Sequence, residues 1–134
     1  MRKKRLPLQA LQKAVRDLLT ACQTTPLHEH VGETAKLPLI AFGEIRMSLS
    51  GAKDTALYRA EMELEVYSSA NSRSEINGIL DDVATVLTAA RLDMHTAGFA
   101  VCDQEITEVQ TNPREVRGYD ATLCLEVIIQ DMEG

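Results

Sequence analysis

Two segments of the chain carry apolar residues at every third or fourth position, the spacing that places them on one face of an α-helix. Residues 8–22 form the first segment, and Pro7 suits its first turn because a missing N–H is harmless there. The second segment begins where Ser72 and Glu75, three residues apart, have the form of a capping box. The pattern therefore predicts two helices. Their apolar stripes consist of Leu8, Leu11, Val15, Leu18, Leu19 and Cys22 in the first and Ile76, Ile79, Leu80, Val83, Val86 and Leu87 in the second.

Four other segments have the composition or the two-residue alternation of β-strands. Residues 37–45 (LPLIAFGEI) indicate a short buried strand that ends at Gly43. Residues 99–109 (FAVCDQEITEV) change their apolar phase midway, which predicts a bulge or a strong bend. Residues 119–129 alternate again after the turn-forming sequence TNPREVRG. The clearest alternation places Tyr58, Ala60, Met62, Leu64 and Val66 on one face of a strand and Arg59, Glu61, Glu63, Glu65 and Tyr67 on the other.

The remaining segments are predicted to be connections. Residues 23–36 contain Pro, Gly and Thr without a period, and residues 47–55 form a polar excursion that turns around Ser50 and Gly51. The resulting order of helix, strand, strand, helix, strand, strand favours an α+β fold, a mainly antiparallel four-stranded sheet with both helices packed on one face. We expect a single domain over residues 1–134, with residues 1–6 as a basic arm, and a second sheet face left uncovered.

Composition limits the classes of function. The chain has 134 residues, 45% of them hydrophobic and 25% charged, and can bury about two thirds of its unfolded surface. A net charge of -6 and scattered basic residues after MRKKR argue against a nucleic-acid-binding face. Only 4% of residues are aromatic, so stacking platforms are scarce. Polar residues interrupt the N-terminal apolar positions, so we expect neither a signal peptide nor a membrane span. We therefore expect the newly made protein to be in the cytoplasm.

The residues most often used in catalysis and metal binding lack the required spacings. Cys22, Cys102 and Cys124 cannot all pair, show no C-x-x-C motif, and are expected to be reduced thiols in or near the core. Residues 28–30 (HEH) after Cys22 could supply zinc ligands, but a solvated polar loop explains them better. His95 has no nucleophile at a recognised spacing, and the chain lacks a phosphate-binding glycine loop. These spacings favour neither a catalytic site nor a metal site, and we expect no cofactor.

The row Glu61, Glu63 and Glu65 is open to three interpretations. Alternate residues of a strand lie about 7 Å apart, which is too far for a shared proton but possible for a divalent cation if neighbouring strands add ligands. A solvated sheet face and a surface that meets a large anionic partner are the other two. Because no chemical companions are visible in the sequence, the solvated or partner-facing interpretations are favoured.

Several motifs taken together resemble one family. They are LPLIAFGE (residues 37–44), an alternating strand that ends in LEVYSS, the helix-opening ANSRSEINGIL, and the late NPREVRGYDATLCLEV. In this order they resemble the small phage tail-completion or tail-terminator proteins of long-tailed phages and related gene transfer particles. The resemblance extends over residues 37–130.

The resemblance implies a structural virion protein without enzymatic activity, made in the host cytoplasm and located at the tail or neck. It implies a homo-oligomeric ring, a hexamer, that stops the growth of the tail tube and joins the tail to the head-side connector. Double-stranded DNA would pass through the ring without specific binding. Glu61, Glu63 and Glu65 would then face the channel, since carboxylates repel phosphates. A contact loop for the ring or its partners would comprise Met47, Leu49, Gly51, Lys53 and Asp54.

Two other functions stay open at this point. The first is a small cytoplasmic α+β module that binds another protein and has no role in a virion. The second is a metal-dependent enzyme built on the three glutamates and the HEH loop.

Overall fold

The structure, a computed structural model, describes residues 5–29, 31–32, 35–50 and 57–133. These contain two α-helices, five β-strands and a short 3-10 helix, His95–Ala97. The helices are α1 (Leu8–Cys22) and α2 (Ser74–Ala89), and the strands are β1 (Leu27–His28), β2 (Leu39–Ser50), β3 (Leu57–Ser68), β4 (Phe99–Pro113) and β5 (Tyr119–Asp131).

The strands form one sheet in the order β1-β2-β3-β5-β4. The four long strands pair antiparallel, whereas β1 pairs with β2 in parallel through Leu27 and His28. The prediction of a four-stranded sheet is therefore wrong in detail, because the sheet has five strands and is mixed. The strand β1 has only two residues, which are too few to show a two-residue alternation. For this reason β1 lies within residues 23–36, which the sequence predicts to be a loop.

The core lies between the two helices and one face of the sheet. The predicted first helix, residues 8–22, is confirmed, and the carbonyl of Pro7 accepts its first hydrogen bond from the Leu11 N–H at 2.8 Å. The alternation in β3 is also confirmed, since its apolar face is buried throughout. The helices contribute these buried residues: Leu11, Ala14, Val15 and Leu19 from α1 and Ile76, Ile79, Leu80, Val83 and Leu87 from α2.

The strand β2 is longer than predicted. It continues beyond Ile45 to Ser50, because residues 45–50 keep pairing with β3, for example Met47 with Ala60. The predicted loop over residues 47–55 is therefore wrong for residues 47–50, and Met47 and Leu49 lie in a strand. Gly51, Lys53 and Asp54, like residues 1–4 of the basic arm, lie outside the described residues.

The predicted capping box is also wrong. The helix α2 begins at Ser74, two residues after Ser72 and thus near the predicted start, but no side chain caps its N-terminus. The Glu75 carboxylate instead accepts a hydrogen bond of 2.6 Å from the hydroxyl of Ser68, which is buried at the end of β3. A buried hydroxyl needs a partner, and the tight turn after β3 brings Glu75 to it.

The change of apolar phase in β4 is confirmed as two register shifts, one between Val101 and Asp103 and one between Ile106 and Glu108. Part of the predicted turn TNPREVRG belongs to β4, which extends to Pro113. The chain then reverses over residues 114–118, where the Arg114 N–H donates to the Gly118 carbonyl at 2.9 Å.

Candidate functional site: the acidic face of the sheet

The three glutamates of β3 lie on the sheet face opposite the helices. Their neighbours Met62 and Leu64 point into the core and are fully buried, whereas about half of the Glu61 side chain, 49%, is exposed. Strand alternation explains this separation, because successive side chains point to opposite faces. The sequence prediction of a core side and an outer side for this strand is thus correct.

Further carboxylates from the neighbouring strands join this face. Glu61 pairs with Glu126 of β5, which in turn pairs with Glu105 of β4, so that three glutamates form one row across the sheet. In the next row, Cys124 of β5 lies between Glu63 and Glu108. We call this surface the acidic face. It comprises Glu44, Glu61, Glu63, Glu65, Asp103, Glu105, Glu108, Asp120 and Glu126.

Most residues of this surface were not predicted from the sequence. Glu126 alternates with the buried Leu125 and Val127, and this signal alone could have placed it on the outer face. Glu105 and Glu108 are three positions apart and share the outer face because a bulge lies between them. Which carboxylates lie side by side depends on strand order and register, and neither follows from the pattern of one strand.

One arginine partly offsets the repulsion within the row. The Arg59 guanidinium donates to the Glu126 carboxylate at 2.9 Å and lies 3.9 Å from that of Glu61. The hydrogen bond to Glu126, and after it the attraction of the nearby carboxylates, raises the pKa of Arg59. Like charges directly opposite each other destabilise a sheet, so this arginine makes the row tolerable.

The row of β3 ends at an aromatic residue. The Tyr67 hydroxyl donates to the Glu65 carboxylate at 3.0 Å. Burial, followed by the hydrogen bond to Glu65 and its negative charge, raises the pKa of Tyr67 to about 12. Tyr67 is therefore a neutral donor at physiological pH and does not act as a base.

A hollow of about 220 Å³ lies at the centre of the acidic face. It is lined by Glu44, Arg46, Glu61, Met62, Glu63, Thr107, Glu108 and Cys124. Burial, together with the nearby charges of Glu63, Glu108 and Glu61, raises the pKa of the Cys124 thiol. A catalytic cysteine has electropositive surroundings that lower its pKa, whereas carboxylates surround Cys124. A thiol with a raised pKa is a poor nucleophile.

The other cysteines lie elsewhere. All three are free thiols, but Cys22 and Cys102 are exposed, so the prediction of a position in or near the core is wrong for these two, whereas Cys124 is half-buried. None of the three belongs to the buried cluster. Cys22 ends α1, Cys102 lies at a bulge of β4, and Cys124 lines the hollow of the acidic face.

The histidines do not gather at a common site. His28 lies in β1, Glu29 binds Gln12 and Arg16, and His30 is outside the described residues. His95 begins the short 3-10 helix. Within residues 5–29, 31–32, 35–50 and 57–133, no group of three or more His, Cys, Asp or Glu side chains could hold a metal ion. The metal-enzyme interpretation gains no support from this geometry.

The acidic face can repel polyanions through its charge. Its carboxylates are spread over four strands, with Arg46 and Arg59 among them. No helix in the described part of the chain is long and apolar enough to cross a membrane.

A comparison with solved structures finds a similar fold. A chain from a structure described as "Virion of native gene transfer agent (GTA) particle" superposes with a TM-score of 0.74 at 14% sequence identity. The alignment covers 92% of this protein and 96% of that chain. At this identity the likeness establishes the fold alone. No curated protein sequence matches the chain.

The comparison with protein families is more specific. The family model described as "Tail completion protein gp17" matches residues 8–130, from the first residue of α1 to the next-to-last residue of β5. The match includes both helices and all five strands, together with every residue of the acidic face. This protein therefore belongs to the family of gp17 tail completion proteins, which confirms the resemblance seen in its sequence.

Proposed function

We propose that this tail completion protein is a tail terminator that forms a ring of six copies, with the acidic face lining the lumen. The ring stops polymerisation of the tail tube and joins the tail to the head-side connector, and double-stranded DNA passes through it. Membership of the tail completion family supports a structural role in the phage tail. The single observation that carries the finer proposal is the acidic face, a surface rich in carboxylates that extends over four strands on the side of the sheet without helices.

A lumen through which DNA moves should not hold it. DNA carries about one negative charge per 1.7 Å of helix axis, so contact with basic residues gives binding at any sequence. Carboxylates do the opposite, because they keep phosphates at a distance over roughly 8–10 Å at physiological salt. The rows Glu61–Glu126–Glu105 and Glu63–Cys124–Glu108 extend this repulsion across three strands.

Two of the five residues of the proposed contact loop, Met47 and Leu49, lie in the described part of the chain. Leu49 is 58% exposed and Met47 is half-buried at the end of β2. Together with Leu6, Leu8, Ile45 and Tyr58 they line an apolar groove of about 370 Å³. Exposed apolar surface at the end of a hairpin suits contact with another subunit of the tail.

The proposal is tested by reversing the charge of the acidic face. In the variant Glu61→Lys/Glu63→Lys/Glu65→Lys we expect an intact fold, salt-dependent binding of double-stranded DNA, and particles with reduced infectivity. A variant in which Gln replaces the same three residues separates loss of repulsion from gain of attraction. The control is Asp81→Lys/Asp82→Lys, which changes exposed residues on the helical side.

The measurements are DNA retention at increasing salt and the infectivity of assembled particles. We expect the control to bind no DNA within the assembled ring and to leave infectivity unchanged. Infectious, normally assembled particles that carry the triple Lys variant would remove the channel role and leave a solvated sheet face.

A further inference from the structure

The sheet has an open edge on each side. β4, with 15 residues, forms one edge. At the other edge, β1 pairs with β2 only at Ile40 and Ala41. In the described part of the chain, the outer side of β2 over residues 43–50 therefore has no strand beside it. Unpaired N–H and C=O groups along such edges are templates for the addition of another strand.

We infer that β4 of one copy pairs with the outer edge of β2 of the next copy, so that the sheets of successive subunits continue into one another. This inference rests on the ring proposed above and names the surface through which its subunits join. Within one subunit β2, β3, β5 and β4 alternate in direction, so β4 and β2 point in opposite directions. A neighbour related by rotation about the ring axis consequently presents β2 antiparallel to β4, like every long pair within the sheet.

Charges on the acidic face match across this junction. The outer face of β4 presents three exposed carboxylates, Asp103, Glu105 and Glu108. On the same face β2 presents Arg46, whose side chain is 72% exposed and donates to the Glu44 carboxylate of the same strand at 3.2 Å. Arg46 and Glu105 end the same cross-strand row, so a continued register brings the next copy's Arg46 beside Glu105. Closure of a sheet into a ring requires a stagger. A stagger of one row places the arginine beside Asp103 or Glu108 instead, so each register pairs a cation with a carboxylate.

Apolar side chains match on the helical side of the same edges. On β4, Val109 is 47% exposed, and Val101 and Ile106 are half-buried. On β2, Leu49 is 58% exposed and Met47 is half-buried. Pairing of the two edges would place these rows side by side and remove apolar surface from water on the side away from the lumen.

The features of β4 favour a second copy of this chain over an arbitrary strand. The edge strand β4 has two bulges and three carboxylates, and both features hinder its pairing with strands of unrelated chains. A partner strand must therefore bring a positive charge to the acidic face and apolar residues to the other. The edge of β2 brings both through Arg46 and Leu49. Pairing of two different edges is a head-to-tail contact, the kind that closes into rings.

Charge exchange tests this junction with the full-length protein. Arg46→Glu alone and Glu105→Arg alone place like charges at every junction, so we expect each variant to lose the ring in native mass spectrometry and sedimentation velocity. In an equimolar mixture of the two variants, an alternating ring has opposite charges at every junction, and we expect the ring to return with an even number of subunits. Mixtures of Arg46→Glu with Asp103→Arg or with Glu108→Arg cover the staggered registers. Lys13→Glu, at an exposed position of α1, is the control with the same change of charge.

The results separate the two proposals. A wild-type protein that stays monomeric, even with its tail-tube subunit, overturns the ring and this junction with it. A wild-type ring that persists in Arg46→Glu overturns the junction alone, as does a failure of all three mixtures to restore the ring. Rescue by one mixture, with Lys13→Glu forming rings like the wild type, supports the junction and identifies its register.

Discussion

The reversal after β4 depends on a glycine at position 118. Gly118 has a φ of +89°, in the left-handed region that L-residues with a side chain adopt only at a cost. A Cβ at this position would also meet backbone atoms at the end of β3, since the Ser69 Cα would lie 2.8 Å away and the carbonyl oxygen of Ser68 closer still. We expect Gly118→Ala to destabilise the fold through both effects.

The magnitude follows from the two contributions. A left-handed conformation costs a non-glycine residue roughly 1–2 kcal/mol. Relief of an overpacked contact by shifts of the backbone costs a further ~1–3 kcal/mol, because the colliding atoms are main-chain atoms that have no rotamer to change. The sum, about 2–5 kcal/mol, is a large share of the ~5–15 kcal/mol that stabilises a typical domain.

Urea denaturation followed by circular dichroism measures the effect. With a slope of about 2 kcal/mol/M, the middle of the usual range for urea, we expect the midpoint of Gly118→Ala to fall by roughly 1–2.5 M. Gly78→Ala is the matched control, because Gly78 lies in α2 with no atom within 4 Å of the added Cβ. There Ala should stabilise the helix by about 0.5–1 kcal/mol. Equal midpoints for Gly118→Ala and the wild type would refute the reasoning.

Three further outcomes are expected. The raised pKa of Tyr67, about 12 against 10.0 for a free tyrosine, means that the unfolded chain loses this proton first, so stability falls between pH 10 and 12. Tyr67→Phe should show a smaller alkaline loss in denaturation curves, and an unchanged slope would contradict the assignment. Glu63→Gln/Glu108→Gln should lower the pKa of Cys124 and speed its reaction with a thiol reagent, measured as a pH profile in a variant lacking the other cysteines. Tyr58→Phe removes a 2.7 Å hydrogen bond to the backbone carbonyl of the segment before α1 and should cost about 1 kcal/mol in urea denaturation, whereas no change would show that the bond contributes nothing.

Much of the fold could be predicted from local periodicity. The stripe of α1 and the alternation of β3 and β5 have the periods of their elements, and each has one buried face. Periodicity fails where an element is too short to have one, as in β1. It also fails where a tertiary contact takes a side chain away from its local role, as Ser68 takes Glu75.

The candidate site could be predicted only in part. Glu61, Glu63 and Glu65 follow from one strand and were found in the sequence. The partners Glu126 and Glu105 depend on the placement of β5 between β3 and β4, which is not the order of the chain. The register that aligns these residues, and the bulges that return Glu108 to the same face, are set by packing of the whole sheet.

Electron microscopy of the protein bound to its tail-tube subunit tests the central claim most directly. We predict a closed ring of six copies at the end of the tube, in which Glu61, Glu63 and Glu65 line the lumen and α1 and α2 lie outside. A monomer bound to the tube, or a ring whose helices face the lumen, would contradict the account.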